Sequence, residues 1–259
     1  MKPVVATTYE RTFSSGRTKP GVFLCEADGF DTPCEVVVKL RAGLSQGVTG
    51  MASELLAALL ARQLDIPTPE PMLVEIDPAL ADGLADTELR QRIGGSAGLN
   101  FGCRLLTGGY ETWPVGRAIP LSLRQAALEL FAFDVLVQNP DRRREKPNLL
   151  WKGDELYAID HEAAFSFVYD ILGGTDPFDV SSLPFLNGHV FFAQLRGKEH
   201  DLERFAGALD TVTDTRIQKM VEGLPPEWQG PRTEMMAEHV RAVAGDVDRF
   251  SEQIRRVLA

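Results

Sequence analysis

Three side chains between Asn139 and Phe165 are spaced for chemistry on phosphate. The stretch reads NPDRRREKPNLLWKGDELYAIDHEAAF. Asp141 opens a charged loop, Asn148 stands just before a short apolar run, and Asp160 stands just after the next one. NLLW and LYAI, separated by KGDE, predict a two-stranded hairpin. A hairpin that leaves at Asn148 and returns at Asp160 brings both side chains to one end. An amide oxygen and a carboxylate there suit Mg²⁺, which takes one or two protein oxygens and completes its shell with phosphate and water. Phosphoryl transfer needs such a metal site. It also needs a nearby carboxylate to orient the attacking hydroxyl and accept its proton, and Asp141 is the candidate. Taken alone, the spacing equally describes a charged surface loop followed by an ordinary hairpin.

Two further residues add weight. Lys39 ends the run CEVVVK, and a lysine on a buried strand is costly unless its ammonium meets a charge or snorkels at the strand end. Glu54 lies in MASELLAALLA with apolar neighbours on both sides, which places its carboxylate near the helix face that packs on the sheet. A Lys39 to Glu54 pair satisfies both groups, and kinase-type sites use that arrangement to hold a lysine on the nucleotide phosphates. Each residue singly has an ordinary structural reading. The ordered series of strand Lys, helix Glu, hinge, Asp, Asn and Asp is much harder to obtain by accident.

The elements that must position these residues follow from periodicity. VVATTYERTF (4–13), GVFLCEAD (21–28) and CEVVVKLR (34–41) predict strands of an antiparallel meander. TGMASELLAALLARQL predicts a helix over 49–64, with Thr49 as N-cap and IPTPEP as its stop. MLVEI (72–76) is a further strand, followed by a 22-residue polar, Gly-rich connection from Asp77 to Gly98 and by the strand candidate NFGCRLLT (100–107). Gly108 and Gly109 read as a hinge. LSLRQAALELFAFDVLVQN predicts one long, largely buried helix over 121–139, and amphipathic helical segments dominate after about 199, with Pro225 and Pro226 separating two of them. The fold class is α+β: a β-rich region over 1–107 with one key helix, then a mainly helical region over 108–259.

Composition narrows the partners. Of 259 residues, 44% are hydrophobic and 25% charged, a globular balance. The formal net charge of −10 repels phosphate backbones and anionic lipid, so neither nucleic acid nor membrane is an expected partner. Three cysteines without CxxC spacing (Cys25, Cys34, Cys103) give neither a disulfide framework nor a zinc site and read as small core residues. With no apolar run long enough for a signal peptide or a membrane span, the expected location is the cytoplasm. The serines at 14 and 15 do not form the GxSxG of a nucleophile elbow, which disfavours a serine hydrolase. His161, beside Asp160, reads as an orienting residue; His189, His200 and His239 lack ligand spacing. Tyr110, Trp113 and Phe131 read as packing, and the locally basic run DRRREK either receives an anionic substrate or is simply solvated.

These stretches together carry a resemblance. EADGFDTPCEVVVKLRAG, ASELLAALLARQLDIPTPEPMLVEIDPALA, GLNFGCRLL, FDVLVQNPDRRREKPNLLW and LYAIDHEAAF run in order over about residues 21–167, with weaker similarity through LPFLNGHVFF. In them the chain resembles the HipA-like kinase family, in particular its short single-domain branch. It is more distantly similar to the phosphoinositide lipid kinases with their DRH…N…D pattern. The resemblance implies a two-lobed protein-kinase-like fold, ATP as donor, Mg²⁺ as cofactor, and a hydroxyl acceptor, foremost a protein Ser or Thr. By the same resemblance Lys39 binds ATP phosphates, Glu54 holds Lys39, Asp141 is the catalytic base, and Asn148 and Asp160 bind metal. The strand NFGCRLL, ending in Arg104, Leu105 and Leu106, faces the adenine.

The departures from the family pattern are specific. Asp141 and Asn148 are seven positions apart, longer than the DxxxxN of protein kinases, and position 146, where that spacing puts asparagine, is lysine. Arg142 stands where the lipid kinases have histidine, and its guanidinium is expected either to pair with Asp160 or to meet the transferred phosphate. The phosphate-covering turn FSSGRTKPG (13–21) has no GxGxxG, so backbone amides with Ser14, Ser15, Gly16 and Arg17 must do the cradling. Two alternatives stay open. One keeps the fold and acts on a small molecule or transfers adenylyl. The other is a pseudokinase or interaction module, which the poor Gly-rich turn and Lys146 favour.

Overall fold

Alternation along the first strands sets their two faces. The computed structural model describes residues 1–13, 19–26, 32–170 and 176–259. β1 (Val4–Thr12), β2 (Gly21–Glu26) and β3 (Cys34–Lys39) pair antiparallel in sequence order, and β3 buries every second residue. The expected meander goes further than predicted. β4 (Pro71–Ile76) and β5 (Gly98–Arg104) join it, and the five strands close into a barrel in the order β1-β2-β3-β5-β4, sealed by a short parallel contact between β1 and β4. Local alternation says which face a residue takes but not which distant strand it meets. Val4, Phe23, Val36, Val38, Val74 and Ile76 fill the interior. Packing is tight at Gly102, where an added Cβ would stand 2.7 Å from both Val36 Cγ1 and Val74 Cγ2.

The key helix, α1 (Gly47–Gln63), starts earlier than predicted: Gln46, not Thr49, precedes it, and no side chain caps it. Burial on nearly all sides replaces the cap as its source of stability, since Gly50 through Ala58 are all buried. The polar connection after β4 also holds a helix the periodicity did not show, α2 (Thr87–Gly94), capped by Asp86 accepting from the Leu89 N–H at 3.1 Å.

Gly108 and Gly109 follow β5 with φ of 98° and 84°, a left-handed pair suited to glycine. Beyond them β6 (Glu111–Thr112) pairs with β7 (Leu149–Lys152), which forms the predicted hairpin with β8 (Glu155–Ala158) around Gly153. The long buried helix is α3 (Arg124–Leu136), shorter than predicted because its first three residues, Leu121–Leu123, form a 3₁₀ turn and Gln138 turns left-handed at φ 45°. The rest is α4 (Phe192–Leu195), α5 (Glu203–Asp210), α6 (Asp214–Glu222), α7 (Pro231–Ala244) and α8 (Val247–Leu258), with the Pro225-Pro226 break between α6 and α7 as expected. α1 packs on β4 and β5 on one side and on α6 and α7 on the other. Trp228 joins that contact, clustering with Met51, Leu55 and Phe101. Among the described residues no helix is long and apolar enough to cross a membrane.

Candidate active site

Lys39 closes β3 at the barrel rim, Glu54 stands at the middle of α1, and Asp160 follows β8. The Lys39 ammonium meets both carboxylates, Glu54 Oε2 at 2.5 Å and Asp160 Oδ1 at 2.6 Å. Burial works to lower the Lys39 pKa, but Asp160 and Glu54 outweigh it and hold the ammonium above its ordinary value. Asp160 behaves conversely: burial would raise it, while Lys39 and Lys146 pull it below the usual carboxylate range. Glu54 is raised by burial against the pull of Lys39, so Asp160 is the more firmly ionised partner. The second oxygen of Glu54 accepts from the His161 N–H at 2.8 Å, tying α1 to the segment after β8.

Asn148 and Asp160 stand at the two ends of the hairpin, both left-handed, with φ of 52° and 62°. Asn and Asp are the non-glycine residues that tolerate this region best, which accounts for their types locally. The Ile159 N–H donates to the Asn148 carbonyl at 3.1 Å and closes the mouth. Thr68 Oγ1 donates to the Ala158 carbonyl at 2.9 Å and docks the hairpin on the segment before β4.

Arg142 does neither of the things expected of it. Its side chain is fully buried, with Nε on Asp134 Oδ2 at 2.6 Å and Nη1 on the carbonyls of Asn148 at 2.5 Å and Ile159 at 3.1 Å. The guanidinium thus lies inside the protein and clamps the backbone at both ends of the hairpin mouth. Asp134 is held below its ordinary value; burial opposes this, but Arg142 and His189 prevail. His189 takes one tautomer: Nδ1 accepts from the Phe191 N–H at 3.2 Å, which leaves Nε2–H to donate to Asp134 Oδ2 at 3.0 Å. His161 Nδ1 faces Arg142 Nη2 at 3.3 Å and must accept from it, and burial followed by the Arg142 charge pushes its pKa down to about 3. His161 is therefore neutral, and its Nε2 is buried with no hydrogen-bond partner among the described residues. Sequence reasoning missed Asp134, although a carboxylate inside the apolar run FAFDVLV was a visible signal that it needs a buried cation.

Asp141 lies beside Asp160, linked through one lysine. Lys146 Nζ sits 2.5 Å from Asp141 Oδ2 and 3.0 Å from Asp160 Oδ2. Burial would lower its pKa, but Asp160 and Asp141 hold it above the ordinary value. Asn148 Nδ2 approaches Asp141 Oδ2 at 3.3 Å. Lys39, Glu54, Asp141, Asn148 and Asp160 therefore converge, and all line one cleft of 1140 Å³. Its apolar end includes Val37, Phe101, Cys103, Leu105, Leu106 and Ile159. Burial pushes the Cys103 thiol up to about 12, so it is an inert wall residue. Arg104 turns its guanidinium to Glu70 at 2.8 Å, while its N–H and that of Leu105 are taken by the Glu70 and Glu35 carbonyls. Ser14, Ser15, Gly16 and Arg17 lie outside the described residues. Trp113 packs edge-on against Trp151 and Phe191.

Asn148 and Asp160 fit a magnesium ion in kind, as an amide and a carboxylate at one mouth. Among the described residues no group of three or more His, Cys, Asp or Glu side chains is set to hold a metal ion, so nucleotide phosphate and water would have to complete its shell.

No curated protein matches the sequence significantly. Among solved structures, the chain is similar to the crystal structure of a Helicobacter pylori proinflammatory kinase, CtkA, with 12% identity, a TM-score of 0.54, and coverage of 99% of this chain and 98% of that one. At that identity the likeness speaks for the fold alone. The family model described as HipA-like kinase matches residues 7–257, nearly the whole chain. The chain belongs to the HipA-like kinase family.

Proposed function

We propose that this chain is an ATP-dependent phosphotransferase that moves the γ-phosphate to a hydroxyl, foremost a Ser or Thr of a protein. We propose with it a two-lobed arrangement, residues 1–107 binding nucleotide and residues 108–259 carrying the catalytic loop. The observation that carries the reading is the convergence of Lys39 with Glu54 and Asp160 beside Asp141, from segments far apart in sequence. Membership of the family supports a kinase with ATP as donor, and the protein acceptor is proposed from the resemblance.

In this reading Lys39 binds the α- and β-phosphates, and Glu54 keeps its ammonium from turning away. Asp141 orients the acceptor hydroxyl and takes its proton on a carboxylate oxygen. Asn148 and Asp160 hold Mg²⁺, which when bound neutralises phosphate charge. The apolar wall from Val37 to Leu106 takes the adenine. Arg142 keeps the hairpin mouth in register without touching substrate.

Thermal unfolding with and without ATP and Mg²⁺, in the parent and in Asp160→Ala, tests the site. At a hundred times its Kd, nucleotide should add roughly 2.7 kcal/mol, a shift of several degrees, to the parent only. Asp141→Asn should slow transfer by about 10² to 10⁴ with nucleotide binding kept. Transfer by Asp160→Ala at the parental rate overturns the proposal. Intact mass of the product separates phosphate from adenylyl transfer. The pseudokinase reading is favoured by one observation, the Lys146 ammonium seated on both carboxylates, and nucleotide binding without any transfer would select it.

A further inference from the structure

We infer that Lys146 is a built-in cation that takes the place of one of the divalent ions of a kinase-type site. The inference rests on reading the cleft as a nucleotide site. Protein kinases hold two Mg²⁺ with the Asp that follows the hairpin and the Asn five positions after the catalytic Asp. Here the fifth position after Asp141 is Lys146, and its ammonium lies between Asp141 Oδ2 at 2.5 Å and Asp160 Oδ2 at 3.0 Å. A lysine cannot ligate a metal, because an ammonium has donors and no acceptor. What it supplies is the charge. The other oxygen of Asp160 is taken by Lys39, so the two ammonium groups divide one carboxylate between them and each reaches a second one.

The backbone that carries Lys146 is fixed. The Arg143 N–H donates to the Lys146 carbonyl and the Lys146 N–H to the Arg143 carbonyl, each at 3.1 Å, closing the turn on itself. The Arg144 N–H and guanidinium bind the carbonyls of Gly188 at 3.1 Å and Asn187 at 2.5 Å, pinning the turn to the segment before α4. Pro147 and left-handed Asn148 fix its exit. A loop held at both ends aims the lysine into the cleft rather than along the surface. Without Lys146, Asp141 keeps Arg143 on Oδ1 at 3.2 Å and Asp160 keeps Lys39 on Oδ1 at 2.6 Å, but the two facing Oδ2 atoms lose the cation between them and repel, which favours a metal ion there even before nucleotide arrives. With Lys146 supplying one positive charge on Asp160 Oδ2, a single ion, held by Asn148 and Asp160, is expected in the loaded site.

The test compares the parent, Lys146→Asn and Lys146→Arg by thermal unfolding in chelator and then with Mn²⁺ alone. The expected result is a lower unfolding temperature for Lys146→Asn in chelator, raised by several degrees on adding Mn²⁺, while Mn²⁺ leaves the parent and Lys146→Arg nearly unmoved. Mn²⁺ bound per chain, counted by electron paramagnetic resonance with a non-hydrolysable ATP analogue, should be about one for the parent and about two for Lys146→Asn. Equal Mn²⁺ response of the parent and Lys146→Asn overturns the inference. So does an Asn variant as stable as the parent in chelator. Should no protein bind the analogue, the proposed function falls, and the metal-only comparison still decides the role of Lys146.

Discussion

The barrel interior is filled by apolar residues such as Val4, Phe23, Val36 and Ile76, and among the described residues its five strands bury no charged side chain below a tenth exposed, whereas the region after Gly109 buries Asp134, Arg142, His161 and His189 in one hydrogen-bonded chain. All four histidines of the sequence lie in that second region. Apolar packing is non-directional, so it suffices for a frame whose task is to present the end of one strand, Lys39, at its rim. Directional bonds do a different job. Arg142 holds the carbonyls of Asn148 and Ile159, and so sets the angle at which the neighbouring Asn148 and Asp160 side chains leave the hairpin. A buried ion pair contributes little net stability over apolar packing of the same volume. Its presence here is best understood as fixing geometry.

If the two regions are held in these two ways, perturbing them should give different signatures. The largest expected effect is Arg142→Met, which leaves the Asp134 carboxylate buried without its cation. It should cost about 3–5 kcal/mol in denaturant unfolding and weaken nucleotide binding as the hairpin mouth relaxes. A loss below about 1 kcal/mol would break the comparison. In the barrel, Ile76→Ala should cost about 2–5 kcal/mol through the cavity it leaves, with the pH dependence of stability unchanged.

Acid should act on the second region. His161 and His239 are pushed down by burial to about 3 and about 4. Below about pH 6.5 the unfolded chain binds protons that these folded imidazoles refuse, so stability is full above that pH and falls as pH drops toward 4. Between pH 7 and 5 each should remove about 2 kcal/mol, measurable by urea unfolding at both values. His239→Gln should flatten that slope by one histidine's share, since the Nε2–H bond to the Leu136 carbonyl at 2.7 Å can be replaced by an amide. A flat profile in the parent would contradict the buried, neutral histidines. The smallest effect is at the tight spot of the barrel. Gly102→Ala should cost about 1–3 kcal/mol by forcing Val36 and Val74 apart, again without a pH signature.

Much of the site was legible because residue type and position within an element carry it. A lysine ending CEVVVK, a glutamate inside an Ala and Leu helix, and Asn and Asp bracketing a hairpin each read as anomalies that need a partner, and the structure pairs the first two and sets the others at one mouth. Thr49 was misread as a cap because capping rules see only the local run, while α1 is stabilised by what lies on both sides of it. α2 was missed because its sequence, TELRQRIG, is polar and carries little periodic signal.

By itself, then, the sequence determined the α+β composition, the positions of the strands and main helices, and the residue types that converge on the cleft. Tertiary structure alone decided how the barrel closes through β4 and β5, that Lys39 reaches Asp160 as well as Glu54, that Arg142 turns inward to Asp134, and that Lys146 turns in between two carboxylates. The physical reason is the range of the interactions. Periodicity and propensity describe a residue relative to its own element, but the direction of a loop side chain and the partner of a distant strand depend on which surfaces meet after the chain has closed its long loops.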